Sequence, residues 1–152
     1  MPPTKTLLER RTMEVEFSIP GQPQGKARAR TVKNRYTGKI VSYTPEKTVE
    51  YEEFIRWCYM KETKVFFKNE SLAVEIKAYF EPPKQTSRKN REKMLRGEIK
   101  PTKKPDADNI AKVVCDALNK VAYTDDTQIC TLVVQKEYAE EARVLVRIIE
   151  ER

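Results

Sequence analysis

Histidine is absent from this 152-residue sequence. That gap removes Ser-His-Asp and Cys-His catalysis, histidine-ligated zinc and imidazole general bases together. Any chemistry must run on carboxylates, lysine and bound metal. Cysteine is scarce, and Cys58, Cys115 and Cys130 are too few and too scattered for a zinc site or a disulfide framework. Each stands in an apolar segment and is expected to be reduced and buried. No apolar run approaches the ~18 residues a membrane span requires, and the N-terminus lacks a secretory apolar stretch. A soluble cytoplasmic protein is the expectation. Internal repeats and low-complexity segments are missing too, which leaves one compact domain able to bury a core without staples.

What the chain has in quantity is charge. Thirty Lys and Arg against 23 Asp and Glu give a net +7, favouring nucleic acid or an anionic surface as partner. Two segments concentrate it. Residues 22–38 read as a basic loop carrying Lys26, Arg28, Arg30, Lys33 and Arg35, with no acid among them. Residues 84–104 hold nine Lys or Arg against two Glu, and 9 − 2 = +7 equals the charge of the whole protein. A solvated helical face is one reading of that segment. Concentration of the entire net charge there favours phosphate contact by Lys84, Arg88, Lys89, Lys103 and Lys104.

Periodicity supplies the elements. Residues 1–12 are polar and aperiodic and read as a flexible N-terminal extension of a domain spanning 13–152. Val15, Phe17 and Ile19 alternate with charged residues, as do Leu72, Val74, Ile76, Ala78 and Phe80; each set predicts a half-buried strand. Thr44-Pro45 predicts a helix start with Thr44 as N-cap, running to Lys61 with Val49, Phe54, Trp57 and Cys58 toward the core. Ser87 is placed to cap a short helix over 88–96, ended by Gly97. A helix over 108–119 presents Ile110, Val113, Val114, Ala117 and Leu118 as one apolar stripe. Strands are predicted over 128–138 and 142–149, joined as a hairpin through Ala139-Glu140-Glu141. The fold class is α+β: a single domain with a mixed β-sheet and two main helices.

Acidic residues then gather where the chain is otherwise basic, at Asp106, Asp108, Asp116, Asp125 and Asp126. With about 100° per helical residue and Asp108 as origin, Lys112 falls at about 40°, Asp116 at about 80° and Asn119 at about 20°. The apolar stripe centres on the opposite side, at about 200°. Two acids and a lysine therefore share an open face. Asp106, two residues before Asp108, would repel it unless a cation or a proton intervened. Hard divalent ions, Mg²⁺ or Mn²⁺, suit such oxygen donors. Helix capping by one Asp and an ordinary acidic turn at Asp125-Asp126 are the plainer alternatives, as is an i, i+4 pairing of Lys112.

The run Lys-Pro-Asp-x-Asp-Asn-x-x-Lys-x-x-x-Asp-x-Leu-Asn (104–119), followed by Tyr123-x-Asp-Asp-x-Gln-Ile, resembles the RusA family of Holliday junction resolvases, crossover junction endodeoxyribonucleases. Ile19-Pro20-Gly21-x-Pro23 with Lys26, Arg28 and Arg30, and Tyr43-x-Pro45, extend the resemblance over residues 13–150. It implies Asp106, Asp108 and Asp126 as catalytic metal-binding carboxylates and Lys112 as a catalytic lysine. Asp116 and Asp125 are possible helpers. It also implies Mg²⁺-dependent cutting of four-way DNA junctions by a homodimer, with frequent phage or prophage origin. A DNA-binding module without nuclease activity, and a general branched or flap nuclease, are the competing expectations. Family sequences usually begin near the first strand, so Met13 is an alternative start.

Overall fold

A computed structural model describes residues 12–151. The expected extension lies outside the described residues except for Thr12. The element order is β1 (Glu14–Pro20), β2 (Arg30–Lys33), β3 (Ile40–Tyr43), α1 (Glu46–Glu62), β4 (Ser71–Phe80), α2 (Arg88–Leu95), α3 (Ala107–Leu118), β5 (Ile129–Tyr138) and β6 (Arg143–Glu151). Four strands form one sheet in the order β1-β6-β4-β5, and β2 with β3 forms a separate hairpin. The β4–β5 pair is parallel and the others are antiparallel. Parallel neighbours need a crossover, and α2 and α3 supply it. The result is an α+β domain with a mixed sheet.

One face of the sheet is apolar because alternation places every second residue there. Val15, Phe17 and Ile19 of β1, the even-numbered residues 72–80 of β4, and Val144, Val146 and Ile148 of β6 are all buried. The stripe on α3 packs into this layer: Ile110, Val113, Val114, Ala117 and Leu118 are fully enclosed. Each such valine, isoleucine or leucine contributes ~1.5–3 kcal/mol by leaving water. On the opposite face Arg147 bonds Glu14 at 2.9 Å and Glu75 at 2.7 Å, tying three strands together.

Helix α1 starts at Glu46 with Pro45 as its cap, one residue later than the Thr44 cap implied. Its inward face corrects the expectation. Thr48, Tyr51, Ile55, Cys58 and Tyr59 are buried, whereas Val49, Phe54 and Trp57 face outward. The two tyrosines bury their rings, and the buried Tyr51 hydroxyl has no hydrogen-bond partner among the described residues. Tyr59 meets Phe17 edge-on at 5.3 Å and donates to the Val65 carbonyl. Phe54 and Trp57 stack on each other outside, with Lys61 over Trp57.

Three other expectations change. The 22–38 loop contains β2, and its chain turns back at Asn34–Lys39 to pair with β3. Strands β5 and β6 do not form a hairpin, because β4 lies between them and pairs with both. Their link crosses the end of β4, where Ala139 N–H bonds the Phe80 carbonyl. Cys130 is exposed on β5; Cys58 and Cys115 are buried as expected. The Cys115 thiol is pushed up to about 12, chiefly by burial. Ser87 caps α2 as the sequence implies, accepting from Asn90 N–H at 3.2 Å, and Gly97 takes the left-handed conformation after it.

Candidate functional site

The acidic residues come to the surface where α3 meets the start of β5. Ile110 and the rest of the stripe fix the buried side of α3, so Asp108, Lys112 and Asp116 face outward together. A cleft of about 350 Å³ is lined by these three and by Asp126, with Cys115 beneath and Leu132 on its far wall. Asp126 reaches this cleft through the turn that follows α3. Its N–H donates to Asn119 Oδ1 at 2.8 Å, and Gln128 anchors the turn by donating to the carbonyls of Phe67 and Glu70 at 3.2 and 3.1 Å. Below it Tyr123 is completely buried and donates to the Cys115 carbonyl at 2.6 Å.

Asp125 and Asp126 are adjacent in sequence but have different surroundings. The Asp125 carboxylate accepts from Thr127 N–H at 2.9 Å and forms a capping box with Gln128. Those bonds, led by the Thr127 N–H, hold it below the usual carboxylate range. Asp126 is shifted upward, first by desolvation, then by its hydrogen bond and charge repulsion with Asp125 and by the charge of Asp116. Asp125 thus holds the turn, and Asp126 is the member of the pair that faces the cleft.

Asp106 is the backbone N-cap of α3, its carbonyl accepting from Ile110 N–H, but its side chain makes no capping bond. The carboxylate instead lines a neighbouring hollow with Asp108, Asn109, Lys112, Lys26 and Arg28. Among the described residues no three of these acids form a ready metal-binding group. Asp108 is the shared member, meeting Asp106 in one hollow and Asp126 in the other. The donor set still fits a hard cation. Its carboxylates are oxygen donors, Asp126 is shifted upward by desolvation and then by its acidic neighbours, and Mg²⁺ is commonly held by one or two carboxylates plus waters and substrate phosphate.

The basic residues divide between inside and outside. Lys26 is turned inward, with its ammonium 2.8 Å from Glu52 and 3.2 Å from Asp116. Burial pulls its pKa down, but the bonds to Glu52 and Asp116 outweigh that and hold it above its ordinary value. Asp116 is therefore paired with Lys26 rather than with Lys112. This pairing docks the basic loop on α3, helped by Lys26 N–H bonding the Asn109 carbonyl at 2.9 Å. Arg28, Arg30, Lys33 and Arg35 are exposed, as are Lys84, Arg88, Lys89, Lys103 and Lys104. Arg88 is partly engaged by Glu92 at 3.7 Å. Lys104 and Lys47 stand with Arg28, Arg30 and Asp106 around a hollow of about 890 Å³.

Loop and helix approach so closely at Gly25 that a Cβ there would lie 2.9 Å from Asn109 Cβ and 3.0 Å from Pro105 Cβ. Gly25→Ala is expected to cost about 1–3 kcal/mol, as overpacking does. Urea denaturation checks this, an unchanged midpoint being the contrary result. Glu52, Asn109, Asn119 and Lys47 are site residues that sequence reasoning did not single out as such. Asn119 carried a signal, since it falls on the same helical face as Asp108, and Asn109 stands in the run that carries the family resemblance.

The site is a cleft lined by acids, close to exposed basic residues, on an α+β domain with a mixed sheet. Residues 20–149 match the family described as endodeoxyribonuclease RusA, and the chain belongs to that family. It is also similar to YqaN of Bacillus subtilis (strain 168), a protein described as uncharacterized. The two are 34% identical over 137 residues, covering 88% of this chain and 94% of YqaN. No helix among the described residues is long and apolar enough to cross a membrane.

Proposed function

We propose that this protein is a Mg²⁺-dependent, structure-selective endodeoxyribonuclease that resolves four-way DNA junctions by paired symmetric nicks. The observation that supports it most is the meeting of Asp108, Lys112 and Asp126 in one cleft, with Asp108 and Lys112 also lining the neighbouring hollow that holds Lys26, Arg28 and Asp106. Asp106, Asp108 and Asp126 would hold the metal, with Mn²⁺ able to substitute. When bound it supplies positive charge to the scissile phosphate and makes water a stronger nucleophile at neutral pH. Asn119 and the Asp125 capping box fix the turn that carries Asp126. Lys112, which forms no ion pair among the described residues, places an ammonium beside the carboxylates to offset charge that develops on the phosphate.

The exposed arginines and lysines of residues 28–35 and 84–104 would follow DNA phosphates, giving shape recognition and steep salt dependence. A four-way junction offers two symmetric strands, and a homodimer with one cleft per copy matches that symmetry. Lys112→Ala is expected to leave Mg²⁺ affinity intact and slow cutting by about 10²–10³-fold. Calorimetry alongside single-turnover cleavage separates the two effects, and lost Mg²⁺ binding would contradict the role given to Lys112. The substrate class is tested by competing a four-way junction against linear duplex of the same sequence at one salt concentration. Preferential junction cutting is expected, and equal cleavage of both refutes structure selectivity.

A further inference from the structure

The β2–β3 hairpin is costly to explain as scaffold. A two-stranded ribbon is at best marginally stable by itself, and all eight residues of β2 and β3 are exposed. Its register places Arg30, Val32, Val41 and Tyr43 on one face and Thr31, Lys33, Ile40 and Ser42 on the other. Neither face is covered by the rest of the described chain.

The tip, by contrast, is firmly built. Asn34 Oδ1 accepts the N–H groups of Tyr36 and Thr37 at 2.8 and 3.1 Å. Asn34 N–H bonds the Lys39 carbonyl at 2.7 Å, and Gly38 turns the chain with a φ of 71°. This frame holds Tyr36 outward, 94% exposed. Around it stand Lys33, Arg35 and Lys39, and no acid occurs between Gly21 and Pro45. Both ends of the hairpin root at the site, since Arg28, Arg30, Pro45 and Lys47 line the hollow that contains Asp106. A basic ribbon with an unpartnered aromatic ring at its tip therefore projects from the rim of the acidic centre.

We propose that this hairpin reads the branch point of DNA: its cations lie along phosphates while the Tyr36 ring stacks on a base face. This rests on the branched-DNA reading above and adds the element that discriminates branched from continuous DNA. In an unbroken duplex each base face is covered by its neighbour, and a projecting ring finds nothing to stack on. Where a bound junction has its coaxial stacks drawn apart, the base faces at the branch point open. Stacking of an aromatic ring on a base is insensitive to sequence because every base has a π-face. The phosphate contacts of Lys33, Arg35 and Lys39 act on both kinds of DNA alike.

The test measures affinity for a four-way junction and for linear duplex of the same sequence, in Ca²⁺ and at one salt concentration. The proteins compared are wild type, Tyr36→Ala and Tyr36→Phe. Tyr36→Ala is expected to lose about 5- to 150-fold in junction affinity with duplex affinity unchanged. Tyr36→Phe should match wild type, because the ring and not the hydroxyl does the stacking. Melting curves should coincide, given the exposure of this side chain. Equal weakening toward both DNAs, or no change toward either, overturns the proposal for Tyr36 while leaving the nuclease reading intact. A wild-type protein that shows no junction preference at all overturns both.

Discussion

Asp108→Asn should abolish junction cutting, by at least about a hundredfold, while junction affinity stays at the wild-type level or rises. The substitution keeps the shape of the side chain and removes a negative charge from the one acid common to both hollows. Loss of that charge takes away a donor for the cation and also a source of repulsion toward phosphate. Folding should hardly notice. Asp108 is exposed in the first turn of α3, where an acid favours the helix dipole by only ~0.3–1 kcal/mol. Catalysis and stability thus separate by magnitude. Gel-shift binding and cleavage on the same labelled junction measure both; joint loss of binding and cutting would reassign Asp108 to structure.

Tyr123→Ala should have the largest effect on stability, about 3–5 kcal/mol, in the range of large aromatic truncations. Its ring is fully enclosed beneath the turn that carries Asp126, and its chain segment bridges to Phe67. Whole domains are stable by only about 5–15 kcal/mol, so this loss takes up a large part of the margin. Tyr123→Phe keeps the ring and gives up the bond to the Cys115 carbonyl, which costs about 0.5–1.5 kcal/mol. Chemical denaturation of the three proteins ranks them, and a small effect for alanine would mean the turn is held by Gln128 and Asn119 alone.

Elements whose side chains sort strictly by period were legible from the sequence. Strands β1 and β4 and helix α3 each show one clean apolar set, and each buries that set. Because α3 was read with the correct face inward, the outward placement of Asp108, Lys112 and Asp116 followed from helical geometry alone. Helix α1 misled because its buried face relies on Tyr51 and Tyr59, whose polar ends disguise the stripe, while Phe54 and Trp57 imitate one on the other side. The β2–β3 hairpin left no alternation to find, since neither of its faces is covered.

Long-range pairings were beyond local pattern. The short link after β5 looks like a hairpin turn, yet β4, far earlier in the chain, occupies the place between β5 and β6. That insertion leaves β5 at the sheet edge with Cys130 exposed. The same limit hid the partners of Lys26. Its charge suggested a phosphate contact, whereas Glu52 and Asp116 turn it inward and make it the anchor of the basic loop. The resemblance to the RusA family pointed to Asp126 over Asp125, and the capping box gives a physical reason for the difference between them.

Cleavage of a synthetic four-way junction, each strand labelled in turn, addresses the assignment of the acidic cleft most directly. In Mg²⁺ the expected products are nicks at symmetric positions on two opposing strands, absent when EDTA replaces the metal. Cutting that persists in EDTA, or a protein inert on branched DNA in both Mg²⁺ and Mn²⁺, would contradict it.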